Sequence, residues 1–227
     1  MVLMLVGCGP RPVTVDPSPS RAATTRLASG PVAHLPSVLH RKRLRVHGLV
    51  MGHDDAPVKI DHFTDFACPY CARVHQTLVR LARRYPSLVR LQHHDFPLDA
   101  SCNRRVTTSF HPDACRAARF ARCAGRQGKF WEFASEVFRN QIALGQDDLV
   151  DVGRQLGLDL EHLTTCVMLP DTQQAVDDDV ELGIRLNVTG TPTSFIAVDG
   201  RTAETVVGGQ SDGWWERKVE QLIGRGR

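Results

Sequence analysis

The stretch Phe66-Ala67-Cys68-Pro69-Tyr70-Cys71 constrains this chain more than any other, because of what stands on either side of it. Upstream, Val58-Lys59-Ile60-Asp61-His62-Phe63 is a short β-rich run introduced by Asp54-Asp55-Ala56-Pro57, which predicts a strand. Downstream, Val74, Leu78, Leu81 and Tyr85 form one apolar face of a helix that stops before Pro86. Leu88-Val89-Arg90-Leu91 then reads as a second strand, parallel to the first if the helix is a crossover. A Cys-x-x-Cys therefore opens the helix of a βαβ unit. That spacing serves zinc or redox chemistry, and this context favours redox. Zinc needs two further ligands at tight spacing, and neither a second Cys-x-x-Cys nor a His-x-x-x-His occurs. At a helix N-terminus the first Cys faces unsatisfied backbone N–H groups and the positive end of the macrodipole, both of which favour thiolate. Its pKa can fall from about 8.5 into the range of roughly 3.5–7.5. The thiolate is the attacking species in disulfide exchange, and stabilising it makes the oxidised pair a stronger oxidant. Pro69 suits the first helical position, Cys71 is expected as the buried resolving partner, and Cys68 is expected within reach of incoming polypeptide.

The remainder of the 227 residues is organised around this unit as an α/β domain. Hydrophobic residues at 42% and charged ones at 23% exclude collagen, coiled coil and wholesale disorder. The net charge is +3 and the densest basic run is Arg41-Lys42-Arg43 with Arg45, too little for a nucleic-acid footprint. No stretch approaches the ~18 apolar residues of a membrane span. A mostly helical middle runs from about Pro112 to Leu186, with Pro112 and Asp113 in a first turn and Phe130, Phe133 or Ala134, and Val137 on one helix face. Gly157 and Pro170 read as stops, and Val176, Val180 and Ile184 as a further stripe. The aromatic set Phe130, Trp131, Phe133 and Phe138 reads as core. After Gly190-Thr191-Pro192, the run Ser194 to Val198, the turn Asp199-Gly200 and Thr205-Val206-Val207 predict a β-hairpin. Ser211 caps a final helix carrying Trp214, Trp215, Val219 and Leu222.

Seven cysteines suit an oxidising compartment better than a reducing cytosol. Cys8 is the odd one by position: Leu5-Val6-Gly7-Cys8 resembles a bacterial lipoprotein lipobox, and residues 1–8 are read as a truncated signal whose true start lies upstream. The alternative is a chance apolar start with a free Cys. Residues 9–43 are Pro-, Ser- and Arg-rich and read as a disordered linker, with an end-to-end distance on the order of 30 Å. Together they describe an extracytoplasmic, lipid-anchored domain over residues 44–227.

Three segments in order, Phe63 to Cys71, Gly125-Arg126-Gln127-Gly128-Lys129-Phe130-Trp131, and Gly190-Thr191-Pro192-Thr193-Ser194-Phe195, together resemble the DsbA-like branch of the thioredoxin superfamily. The resemblance covers about residues 45 to 224. It implies a thioredoxin fold, with a helical insertion at about 110–187 between its βαβ and ββα halves. It also implies a cis Thr191-Pro192 bond across from the cysteine pair, where the Thr191 backbone can pair with an extended substrate. An ordinary turn proline is the alternative for Pro192. Relatives often carry a carboxylate six residues before the first Cys, and here that position is His62. A neutral imidazole with a pKa nearer working pH can accept the second thiol's proton, and a core histidine satisfied by a backbone carbonyl is the equal alternative. Asp61 should point to the other face of the strand, and His93 and His94 to opposite faces, which argues against two-point chelation.

The other four cysteines read as structural. Joining Cys102 to Cys115 would remove about 3 kcal/mol of unfolded-chain entropy and joining Cys123 to Cys166 about 4 kcal/mol, although four Cys admit three pairings and free buried thiols stay open.

The expected activity is thiol:disulfide exchange that oxidises exported proteins through Cys68 and Cys71, supported by Pro69, Tyr70, Thr191 and Pro192, with no cofactor beyond the redox-active disulfide. The resemblance assigns reoxidation to a quinone-linked membrane partner of DsbB or vitamin K epoxide reductase type. A monomer is expected. The alternatives are a reductase or isomerase of the same fold, and a Cu(I) chaperone that enlists His62 or His75 beside the pair, with Met4, Met51 and Met168 remote in sequence. A binding module that keeps only the fold is a third, against which the intact Cys pair argues.

Overall fold

The computed structural model describes residues 43–225; Cys8, the lipobox-like segment and all but the last residue of the linker lie outside them. The sheet has six strands in the order β1-β2-β4-β3-β5-β6. Two two-residue strands, β1 (Val46–His47) and β2 (Val50–Met51), form its outer edge. The central strands are β3 (Val58–Thr64) and β4 (Val89–Asp95), parallel and joined by α1 (Pro69–Arg84). On the other side β5 (Thr193–Val198) runs antiparallel to β3 and turns through Asp199-Gly200 into β6 (Arg201–Val207). Both turn residues have positive φ, 48° and 78°, the conformation a two-residue hairpin turn needs.

The helices follow from where apolar side chains must go. On α1, Val74, Leu78 and Leu81 are buried as the spacing requires. The C-terminal helix α7 (Asp212–Arg225) lies beside it. The Thr77 hydroxyl donates to Asp212 at 2.7 Å and the Tyr85 hydroxyl to Glu220 at 3.0 Å. The Trp214 N–H donates to the Ser211 side chain at 3.3 Å, so Ser211 caps α7.

Between the two halves come α2 (Ala114–Arg126), α3 (Phe130–Arg139), α4 (Gln146–Gln155), α5 (Leu160–Val167) and α6 (Pro170–Arg185). The last of these packs on the sheet face opposite α1, where Phe63, Phe96, Val180 and Val188 form a buried cluster. Burying each such phenylalanine is worth about 1.5–3 kcal/mol. The approach is close enough that a Cβ on Gly183 would stand 2.5 Å from the Phe96 ring.

Two boundaries differ from expectation. Pro112 and Asp113 are not helical: Asp113 has φ 72°, and α2 starts at Ala114, because the preceding segment is held to Leu98 by the Phe110 and His111 N–H groups. Pro170 starts α6 instead of stopping a helix, since a proline at the first position forgoes an N–H that has no intrahelical partner.

A buried charge network locks α2 and α6 to β4. Arg122 donates to Asp95 at 2.5 Å and to Asp179, while His94 bonds Asp179 at 2.9 Å and Asp61 at 3.1 Å. Burial opposes charge on His94, but the Asp179 and Asp61 hydrogen bonds outweigh it and hold its pKa at about 9. The Arg122 guanidinium likewise overcomes burial at Asp95 and holds that carboxyl at about 2.

Candidate active site

Among the described residues two cysteines are free, and both sit where β3 hands the chain to α1. Cys68 is the N-cap of the helix, with φ −81° and ψ 118°, and Pro69 takes the first position. The Cys71 N–H donates to the Cys68 carbonyl at 3.0 Å and the Ala72 N–H does so at 3.2 Å, so the first turn is wound directly on the nucleophile's own backbone. The two sulfurs have opposite environments. Cys68 is lowered to about 6, chiefly by the hydrogen bond from the Cys71 thiol, against the opposing effect of burial; the Cys71 N–H, the Thr191 side chain and the Tyr70 N–H add to the lowering. Cys71 is fully buried, and burial pushes its thiol well above the ordinary range, with the neighbouring Cys68 adding to this. The Thr64 hydroxyl, without a hydrogen-bond partner of ordinary length, pulls weakly the other way.

Across from the pair, Thr191-Pro192 is cis, and the Cys68 thiol donates to the Thr191 carbonyl at 3.5 Å. Tyr70 is half exposed, with the Arg73 guanidinium 5.6 Å above its ring. Cys68 itself is only 4% exposed, less than expected of a sulfur that must meet whole polypeptides.

His62, on β3, takes the character of the core-histidine alternative, with one difference. It is buried, and its Nδ1 is hydrogen-bonded to the Ser194 hydroxyl at 2.9 Å, not to a backbone carbonyl. Burial, reinforced by His93 and His94, pushes its pKa down to about 3, so it has no basicity near working pH. The register of β3 with β4 places His93 beside it, facing Phe130 and Phe66, while His94 and Asp61 meet on the opposite face.

Three residues of the site carry no local sequence signal. Gln141, between α3 and α4, donates its side-chain N–H to the Phe66 carbonyl at 2.7 Å and to the Cys68 carbonyl at 2.8 Å. Asp65, inside the motif, is buried and accepts the Ala67 N–H at 2.7 Å and the Leu98 N–H at 2.7 Å. His111 donates from Nδ1 to the same carboxylate at 2.8 Å. Each is fixed by a partner far away in the chain, which spacing cannot show.

The other four described cysteines form Cys102–Cys115, with Cα atoms 6.0 Å apart, and Cys123–Cys166, at 5.9 Å, the latter joining α2 to α5. The histidines considered for copper are engaged elsewhere: His62 by Ser194, and His75 by Ser135 at 3.1 Å between the Trp131 and Phe138 rings. Met51 is buried in β2 and Met168 is exposed at the end of α5.

Residues 59–212 match the family model of the DSBA-like thioredoxin domain. The chain is 30% identical over 149 residues to Na(+)/H(+) antiporter NhaA 1 of Mycolicibacterium gilvum (strain PYR-GCK), a match that covers 65% of this chain and 23% of that protein. It thus spans less than a quarter of the length of that curated relative. Among solved structures, a thioredoxin-like oxidoreductase from Silicibacter pomeroyi DSS-3 superposes with TM-score 0.62 at 23% identity, covering 76% of this chain and 90% of that one. Wolbachia pipientis alpha-DsbA1 superposes with TM-score 0.64 at 17% identity, covering 78% and 92%. These two likenesses speak for the fold, and the family match spans the cysteine pair, the helical insertion and the cis proline together; the chain belongs to the DSBA-like thioredoxin domain family.

Proposed function

We propose that the protein works outside the cytoplasm as an oxidant, introducing disulfides into exported proteins through Cys68 and Cys71. The observation that carries this reading is the placement of the two sulfurs, Cys68 at the N-cap of α1 and lowered to about 6, and Cys71 one turn on, fully buried and raised. A substrate thiolate attacks Cys68 of the oxidised pair, the Cys68–Cys71 bond breaks, and Cys71 takes up a proton as it leaves. A second substrate thiolate then attacks the substrate sulfur of the mixed disulfide, and Cys68 departs as a thiolate. Two electrons pass from the substrate dithiol to the pair. An acidic Cys68 is the better leaving group, which drives the second step towards release of oxidised substrate. His62 takes part as a neutral hydrogen-bonding group that ties β3 to β5 through Ser194, not as a resident base.

Four exposed apolar residues, Tyr70, Phe110, Ile142 and Val207, belong to segments that touch the site, which supports apolar stretches of incompletely folded polypeptide as the substrates. Thr191 supplies backbone to such a segment. The two structural disulfides support an oxidising compartment. Among the described residues no helix is long and apolar enough to cross a membrane; on this reading the tether is a lipid on Cys8. Reoxidation falls to a quinone-linked membrane protein of DsbB or vitamin K epoxide reductase type. In a Cys71→Ser variant the lone Cys68 thiolate attacks the disulfide of an oxidised exported protein, the reverse of the release step, one substrate sulfur leaves as thiolate, and mixed disulfides will accumulate at Cys68 on non-reducing gels; a clean wild-type pattern in the variant would overturn the reading. A reduction potential near −120 mV marks an oxidant, and one near −270 mV the reductase alternative.

A further inference from the structure

The segment between β4 and α2 contains neither strand nor helix, yet it is held at three points. Cys102–Cys115 closes it covalently. Asp99 within it accepts the Ser101 N–H at 3.0 Å, the Ser109 hydroxyl at 2.9 Å and the Cys115 N–H at 3.4 Å. The Phe110 and His111 N–H groups both donate to the Leu98 carbonyl, at 2.9 and 3.2 Å. The product of this bracing is one contact, His111 Nδ1 on Asp65 at 2.8 Å.

Asp65 connects that contact to the chemistry. Its carboxylate is buried, and each oxygen accepts a backbone N–H, Ala67 on Oδ1 and Leu98 on Oδ2. Its own carbonyl accepts the Cys68 N–H at 3.1 Å. A buried carboxylate calls for a cationic partner, because an uncompensated charge in that position is strongly destabilising. His111, a quarter exposed and able to exchange protons with solvent, is the side chain ion-paired with it. We infer that His111 is a positioning residue of the exchange reaction: docked on Asp65 by the disulfide-braced segment, it sets a positive charge beside Cys68 and favours the thiolate in attack and departure.

His111 meets Asp65 on the β3–α1 connection, and the Asp65 carbonyl in turn accepts the Cys68 N–H at the start of α1. On its own segment, Asp99 is turned to Ser101, Ser109 and Cys115, and Asp113 pairs with Arg116. The hydrogen bond to Asp65 raises the pKa of His111, burial opposes, and the charges of Asp65 and of Cys68 both raise it further. The imidazolium and the thiolate therefore stabilise each other. Tyr70, in the dipeptide between the cysteines, offers no such charge.

This inference deepens the oxidant reading and rests on it. The test is the ionisation of Cys68 in the reduced full chain, followed by thiolate absorbance against pH and by the rate of alkylation with iodoacetamide. His111→Asn and His111→Gln keep a donor for Asp65 and remove the charge. Both variants will titrate at higher pH than wild type, and alkylation at pH 5.5 will slow by about threefold or more. Because coupling between two sites is reciprocal, the His111 ring, followed by NMR, will titrate lower in a Cys68→Ser variant by the same factor. That comparison leaves His111 in place and stands even if its own variants fail to fold. An unchanged Cys68 titration in folded variants, or an unchanged His111 titration in Cys68→Ser, overturns the inference. A wild-type Cys68 that titrates like an ordinary thiol would instead overturn the functional reading itself.

Discussion

The acidity of Cys68 has a consequence that can be read without any substrate. At pH 7, a thiol held at about 6 is mostly ionised, whereas an ordinary thiol at 9.0 is not. The dithiol form therefore gains about a tenfold stabilisation relative to a pair with ordinary thiols, equal to about 30 mV in a two-electron couple. The pH dependence is sharper evidence than the absolute value. Below the Cys68 pKa, reduction takes up two protons and the potential falls by about 59 mV per pH unit; above it only Cys71 is protonated and the slope halves to about 30 mV. The break should lie near pH 6. Equilibrating the protein with glutathione buffers from pH 4.5 to 8.5, quenching in acid and counting free thiols by mass gives both slopes. A single steep slope through pH 8 would show that the hydrogen bond from Cys71 and the first turn of α1 do not stabilise the anion, and the argument from helix geometry to oxidising power would fail.

Gln141→Ala removes both hydrogen bonds that hold the α3–α4 connection on the Phe66 and Cys68 carbonyls. It should lower stability by about 1–2 kcal/mol in urea unfolding and speed alkylation of Cys68; a slower reaction would mean that Gln141 does not shield the sulfur. His62→Leu leaves the Ser194 hydroxyl without its partner and should lose about 1–3 kcal/mol of stability, yet its exchange rate between pH 5 and 8 should keep the wild-type pH profile. Loss of an inflection in that range would restore His62 as a base. His94 has a folded pKa of about 9, above the ordinary 6.5, so its contribution is complete below pH 6.5 and lost as pH rises through 9. Its ceiling is about 3 kcal/mol. Urea midpoints of oxidised protein, in which Cys68 and Cys71 do not titrate, should fall across that window and stay flatter in His94→Gln.

What the chain discloses locally is legible in its sequence, and what depends on distant partners is not. The periodicity of Val74, Leu78 and Leu81, the Asp199-Gly200 turn and the cap at Ser211 are each written within a few residues, and each stands where the pattern puts it. The edge hairpin of β1 and β2 escapes notice because two residues per strand are too few to show alternation. Pro112 invites a helix two residues early because the Leu98 carbonyl that claims the preceding N–H groups lies more than ten residues back. His62 is visible as a departure at the right position. Its loss of basicity comes from burial among β4 and β5, which residue type alone does not reveal.

The helical insertion and the ββα half supply the surroundings that a Cys-Pro-Tyr-Cys turn cannot supply for itself. Thr191, 123 residues beyond Cys68, brings its carbonyl to the sulfur. Gln141 grips the loop from between α3 and α4, and Asp65 meets the chain again at Leu98 and His111. Three connections of the fold thus converge on the short run from Asp65 to Cys68. The insertion is fastened by its own disulfides and by Arg122 between Asp95 and Asp179, so these groups hold position without help from a substrate. Because they act on the electrostatics and access of one sulfur, changes in the insertion would retune the exchange while the cysteine motif stayed the same.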